Sequence, residues 1–206
     1  GKIMPKLPIG DIGPCVIIWD YNQFAAGSAF CIGPYLGTIT LRVTDTISDV
    51  QEEGYGDAPV DGVFAGTVVE LEVPMARNSL SQLVHTIGYA EMGSQTYIDD
   101  SVPPVAVPDG QVLTLKNMAG CDMYSNARAI LIAPLCNNVP DSDPHHWTML
   151  YKCHPYREFE LTWDRAGQRI HMVKFKVFPN QDSGFCGEYL LEGLPTGAQA
   201  ITGICS

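Results

Sequence analysis

The densest run of side chains able to hold a metal or move a proton lies between residues 141 and 154: Asp141, Asp143, His145, His146, Cys153 and His154. A metal site needs several such groups converging at about 2 Å on one ion. His145 and His146 are adjacent, as are Cys153 and His154, and neighbours on an extended chain point to opposite faces. The run therefore reads as a polar loop entering a strand, and neither a metal nor another cofactor is expected. For nucleophilic catalysis the nearest candidate is Gly184-Phe185-Cys186-Gly187, with His171 or His154 as base. It lacks the strand-to-helix elbow that would expose the nucleophile. Walker, GxGxxG, HExxH and EF-hand patterns are missing from the sequence. No enzymatic activity is expected.

The chain carries seven cysteines, Cys15, Cys31, Cys121, Cys136, Cys153, Cys186 and Cys205. The count is odd, so at least one thiol is left over from any internal pairing. No pair has CxxC spacing, which argues against a zinc ribbon or a thioredoxin-like site. Two readings stay open: buried thiols serving as small hydrophobes, or disulfides, some between subunits, in a particle that persists outside a reducing cytosol.

The whole chain must position these groups with 206 residues, 46% of them hydrophobic, which is enough for a packed core. Its formal charge of −11 opposes wrapping DNA or an anionic membrane through a basic face. No apolar run approaches the roughly 18 residues of a membrane span, so no membrane partner is expected. The opening Gly1-Lys2-Ile3-Met4-Pro5-Lys6 leads into prolines and glycines and does not read as a signal peptide.

Two-residue periodicity dominates. Val16–Trp19 is short and apolar. Residues 36–47 alternate, with Ile39, Leu41 and Val43 opposing Thr38, Thr40 and Arg42, and residues 63–73 set Val69, Leu71 and Val73 against Glu70 and Glu72. Further strands are predicted at 111–118, 127–133, 147–152, 158–163 and 170–178, with short ones near 189–191 and 200–201. Leu80, Leu83, Val84 and Ile87 recur at helical spacing, and Ser79 with Gln82 fits a capping box, so one amphipathic helix is predicted over 78–88. The stretch 48–62, with Asp49, Glu52, Glu53, Tyr55, Asp57, Pro59 and Asp61, is too long for a tight turn and too acidic to bury, so it reads as a long loop with a function. The expected fold is mainly β: an antiparallel sandwich or barrel with one flanking α-helix. One domain is expected over 1–206, with a C-terminal extension from about residue 179.

The order of short motifs in the first 90 residues carries a resemblance. Pro8-Ile9-Gly10-Asp11-Ile12-Gly13-Pro14 opens it, and the strand 37–44 follows. Then come Tyr55-Gly56-Asp57-Ala58-Pro59-Val60-Asp61, Gly66-Thr67-Val68-Val69-Glu70-Leu71-Glu72-Val73-Pro74 and the helix. This arrangement resembles the tail tube proteins of tailed bacteriophages and related virion structural proteins. The resemblance implies a β-sandwich of tail-tube type whose copies pair edge to edge into hexameric rings. The rings stack into a tube in the virion, with the long loop touching the next ring. Other virion proteins would be neighbours, and phage DNA would pass through without specific binding. The sequence agrees on physical grounds: free strand edges must be paired or protected, closed symmetric assembly does so, and an electronegative lumen gives DNA no counterion-release gain. Cys205 and Cys15 are the candidates for links between subunits. A neck, collar or head–tail junction protein with the same fold is the near alternative. A secreted carbohydrate-binding module using Trp147, Tyr151, Tyr156 and Trp163, and a cysteine hydrolase centred on Cys186, are the others.

Overall fold

The computed structural model describes residues 14–22, 28–33, 37–51, 59–76, 84–87, 90–98, 106–115, 117, 119–136, 138–156, 171–182, 187–201 and 204. Eleven strands are formed among them: β1 Cys15–Trp19, β2 Phe30–Ile32, β3 Thr40–Gln51, β4 Pro59–Met75, β5 Ala90–Ile98, β6 Ala106–Leu115, β7 Arg128–Cys136, β8 Val139–Pro140, β9 Thr148–Tyr156, β10 His171–Phe178 and β11 Leu190–Glu192. Nine belong to one sheet of order β2-β1-β7-β9-β10-β4-β3, with β11 beside β9 and β8 beside β7. β5 and β6 form a separate hairpin. All pairings are antiparallel, as the alternating sequence requires, and the large sheet is not closed into a barrel.

The sheet curls. Trp19 of β1 lies 5.6 Å, ring to ring, from Phe175 of β10, although β7 and β9 stand between them in the strand order. The concave side gathers Ile17, Trp19, Ile32, Leu71, Val73, Ile130, Leu150, Cys153 and Phe175 into one core. A second core lies behind β1, β7 and β9, where Val16, Ile18, Leu131, Trp147 and Met149 meet Leu194 and Ile201. Tyr21 closes it by donating its hydroxyl to the Gln199 carbonyl at 2.7 Å and meeting Trp147 edge-on.

Two cores account for two kinds of strand sequence. β1 and β7 are buried on both faces and read as unbroken apolar runs, Val16-Ile17-Ile18-Trp19 and Ile130-Leu131-Ile132-Ala133. β4 and β10 bury one face and alternate: Val69, Leu71, Val73 and Val173, Phe175, Val177 point to the core. The opposite faces carry Glu70, Glu72, Lys174 and Lys176, and Lys174 stands across from Glu72 at 3.9 Å. Each fully buried Leu, Ile or Phe contributes about 1.5–3 kcal/mol, whereas half-exposed ion pairs of this kind contribute about 0–1 kcal/mol. The apolar face therefore fixes the register.

Four expectations are changed by the structure. Within the stretch 48–62 predicted as a loop, residues 48–51 and 59–62 are strand, since β3 runs on to Gln51, β4 begins at Pro59 and the two pair from Thr40↔Glu72 to Gln51↔Pro59; residues 52–58 lie outside the described residues. The strand predicted at 111–118 begins earlier, at Ala106 of β6, and β5 has no counterpart among the predicted strands. Near the C-terminal end, the short strand predicted around 189–191 forms as β11 beside β9, and Leu194 and Ile201 complete a core. No strand forms at 200–201. Of the predicted helix, residues 84–86 are helical, and Thr86 and Ile87 are buried; residues 77–83 and 88 lie outside the described residues. The strand predicted at 158–163 also lies outside them.

Candidate assembly surface

β3 and β4 belong to the body of the molecule over only part of their length. Leu71 and Val69 are buried in the core, and Leu41 packs against it. Beyond Val43 and Val69 the pair leaves the sheet as an arm, and every described residue of its outer part from Arg42 to Val50 is exposed. The eight residue steps of strand from Val43 to Gln51 make it about 25 Å long.

The core-facing pattern does not stop where the core stops. By register, Leu41↔Leu71, Val43↔Val69, Asp45↔Thr67, Ile47↔Phe64 and Asp49↔Gly62 share one face. A shift between Thr46 and Ile47 leaves Ala65 as the extra residue of a bulge, which keeps Phe64 on that face. Gly62 gives Ile47 room: a Cβ there would sit 3.1 Å from Ile47 Cγ2. The result is an apolar stripe continued into solvent, with Val43 53%, Ile47 56% and Phe64 73% exposed. On the other face Val50, Val63 and Val68 are also exposed. Thr67 donates its hydroxyl to Asp45 at 2.7 Å across the pair, so the arm is braced between its apolar positions. Asp45 and Thr67 separate Val43 from Ile47 and Phe64 on this face, but several large exposed hydrophobics on one projecting pair of strands mark a candidate contact surface. β3 is also the last strand of its sheet, so its outer edge offers backbone donors and acceptors along its length.

Two acids of the sequence-predicted site, Asp49 and Asp61, lie on this arm. Asp49 and Asp61 are exposed on its strands, Asp61 accepting from the Gly62 N–H at 2.8 Å, and Pro59 opens β4. Glu52, Glu53, Tyr55 and Asp57 lie outside the described residues. The sequence reading named the acids and missed Ile47, Val63 and Phe64. The usable signal was strand alternation running past Val43 on both sides of the acidic stretch.

A second feature is a cleft of about 450 Å³ where β1 and β9 finish and β7 begins. Trp19, Phe30, Val84 and Pro155 supply its apolar lining, and Asp20, Ser28, Asn126, Arg128, His85 and His154 its polar groups. His85, on the helical turn, leans on the Phe30 ring at 4.5 Å. Asp20 has a left-handed backbone (φ 57°), accepts from the Ser28 hydroxyl and stands 3.7 Å from the Arg128 guanidinium. His154 is buried, and burial holds its pKa below the usual 6.5.

The remaining candidates resolve into architecture. Asp141 organises a turn: its carboxylate accepts from the Asp143 N–H at 2.9 Å and lies 2.6 Å from His146 Nδ1, and its carbonyl accepts from the Trp147 indole at 2.8 Å. Those bonds, the Asp143 N–H first, lower the Asp141 pKa. Asp143 accepts from the His145 N–H at the start of a single 3-10 turn, Pro144–His146. Among the described residues no three His, Cys, Asp or Glu side chains are grouped to hold a metal, and no helix is long and apolar enough to cross a membrane. Trp147 and Tyr151 are core residues and offer no ring face to a sugar; Tyr156 donates to Glu70 at 3.2 Å, and Trp163 lies outside the described residues.

The cysteines divide. Cys153 is a free thiol in the core, and burial pushes its pKa far up, so it serves as a small hydrophobe rather than a disulfide partner. Cys121 is an exposed free thiol, and Cys15 is half-buried. Cys31 is disulfide-bonded. Cys136 ends β7, while Cys186 and Cys205 lie outside the described residues.

No protein-family model matches the chain, and comparison with curated proteins finds no relative.

Proposed function

We propose that this chain is a structural protein that acts by assembling with copies of itself, as the tube-forming subunit of a bacteriophage tail. Copies join along their open sheet edges into rings, six to a ring in the form the resemblance implies. The arm then reaches a neighbouring ring, and the stacked rings make a conduit for DNA. The observation that carries this reading is the arm's exposed apolar set: Val43, Ile47 and Phe64 lie on the face that the core covers nearer the body, yet each is more than half exposed. The order of motifs in the first 90 residues supports the tail-tube form of the assembly, and the charge of −11 suits a lumen that must not hold DNA. No step of this function makes or breaks a covalent bond.

The test is light scattering on a sizing column, with negative-stain microscopy, over a rising concentration series of the full chain. Rings or tubes are expected. Rings that never stack would move the assignment to a neck or collar position, and a monomer at every concentration would overturn it.

A further inference from the structure

The arm and the cleft lie at opposite ends of the same sheet. β9 pairs β10 with Tyr156 opposite Lys174, and β10 pairs β4 with His171 opposite Met75. The end at which β9 finishes is therefore the end at which β4 finishes, and it holds His154 and Pro155 of the cleft. The arm leaves at the other end, where β4 begins. An arm pointing away from its own cleft cannot fill it, whereas the arm of another copy can.

The two surfaces fit in chemistry. The arm presents Phe64 and Ile47, and from Val43 to Met75 the sequence contains no Lys, Arg or His but six acids outside the body strands: Asp45, Asp49, Glu52, Glu53, Asp57 and Asp61. The cleft is lined by Trp19, Phe30, Val84 and Pro155 with Arg128 as the cation among its lining residues, while burial lowers the pKa of His85 and His154 and favours their neutral forms. Its single carboxylate among the lining residues, Asp20, is already engaged by Ser28 and Arg128. We infer that the arm of one copy seats in the cleft of the next, Phe64 against the Trp19–Phe30 floor and the acids Asp45, Asp49 and Asp61 toward Arg128. This inference rests on the assembly reading above and names the surface that receives the arm. Such a contact joins two different patches, so it propagates from copy to copy instead of closing a dimer.

The test replaces Phe64 with a photoreactive phenylalanine analogue in the full chain and mixes it with isotope-labelled unmodified chain. Phe64 is exposed, so the fold is expected to survive, which circular dichroism checks. Crosslinks to labelled peptides carrying Phe30, Val84–His85 or Asn126–Arg128 are expected. Arg128→Glu, folded by the same criterion, is expected to raise the concentration needed for assembly at least tenfold. Assemblies whose crosslinks map elsewhere on the second copy would overturn the cleft as receiver and leave self-assembly standing. Failure of the unmodified chain to assemble would overturn both.

Discussion

His154 shows how burial decides what a ligand-type side chain does. It sits beside Cys153 in a run whose composition suggests metal or acid–base chemistry, yet β9 places Cys153 in the core and His154 under the cleft. The folded chain binds a proton at His154 less readily than the unfolded chain does, because burial opposes the charged form. Stability from this group is therefore complete above about pH 6.5 and declines as pH falls below that value toward the depressed pKa. Melting temperature is expected to drop between pH 7.5 and 5.5, and His154→Phe is expected to flatten part of that slope. Equal slopes in the two proteins would contradict the assignment. The sequence reading set His145 apart from His146 on the premise of an extended chain, whereas both lie in a 3-10 turn, and spacing could not show that Asp141 spends its carboxylate on a turn. That depends on the Asp143 N–H and the His146 ring arriving at one point.

The β3–β4 pair is one element with two environments, and substitutions along it should separate stability from association. Leu71 is fully buried, so Leu71→Ala is expected to cost about 2–5 kcal/mol in denaturant unfolding. Phe64 is largely exposed, so Phe64→Ser should change monomer stability by less than about 0.5 kcal/mol while abolishing association in a sizing column. If Phe64→Ser unfolds the chain, the stripe is packing that the arm makes with its own molecule. The body halves of both strands were legible because alternation reports one-sided burial. The arm was not, because Gly54, Gly56, Pro59 and Gly62 with the acids carry the composition of a loop, and cross-strand pairing overrides it. β5 was invisible for a related reason: Ala90–Ile98 includes Glu91, Gly93, Ser94 and Gln95, with no periodic apolar face to read.

For the molecule as a whole, charge and apolar surface act in opposition when copies approach. Each chain carries −11, and at about 10 mM salt the screening length is roughly 30 Å, so whole molecules repel. At about 0.15 M salt it falls to roughly 8 Å, and only groups in contact matter. Assembly is expected to strengthen between those two conditions and to survive 1 M salt, because apolar burial carries the contact and the charges orient it. Dissociation at 1 M salt, followed by turbidity and microscopy, would place the energy in ion pairs instead. The mainly antiparallel architecture could be anticipated from alternation alone. The curl that brings Trp19 onto Phe175 could not, since it depends on side chains far apart in the chain.

The pairing of β1 with β7 joins Cys15 to Pro134, and the second core waits for Leu194 and Ile201. During synthesis the first strand emerges long before its neighbour exists, and the arm is made before β7, β9, β10 and β11. Contacts this distant in sequence form slowly. In the assembly proposed above, a nascent chain would expose its arm before the sheet that bears it is complete.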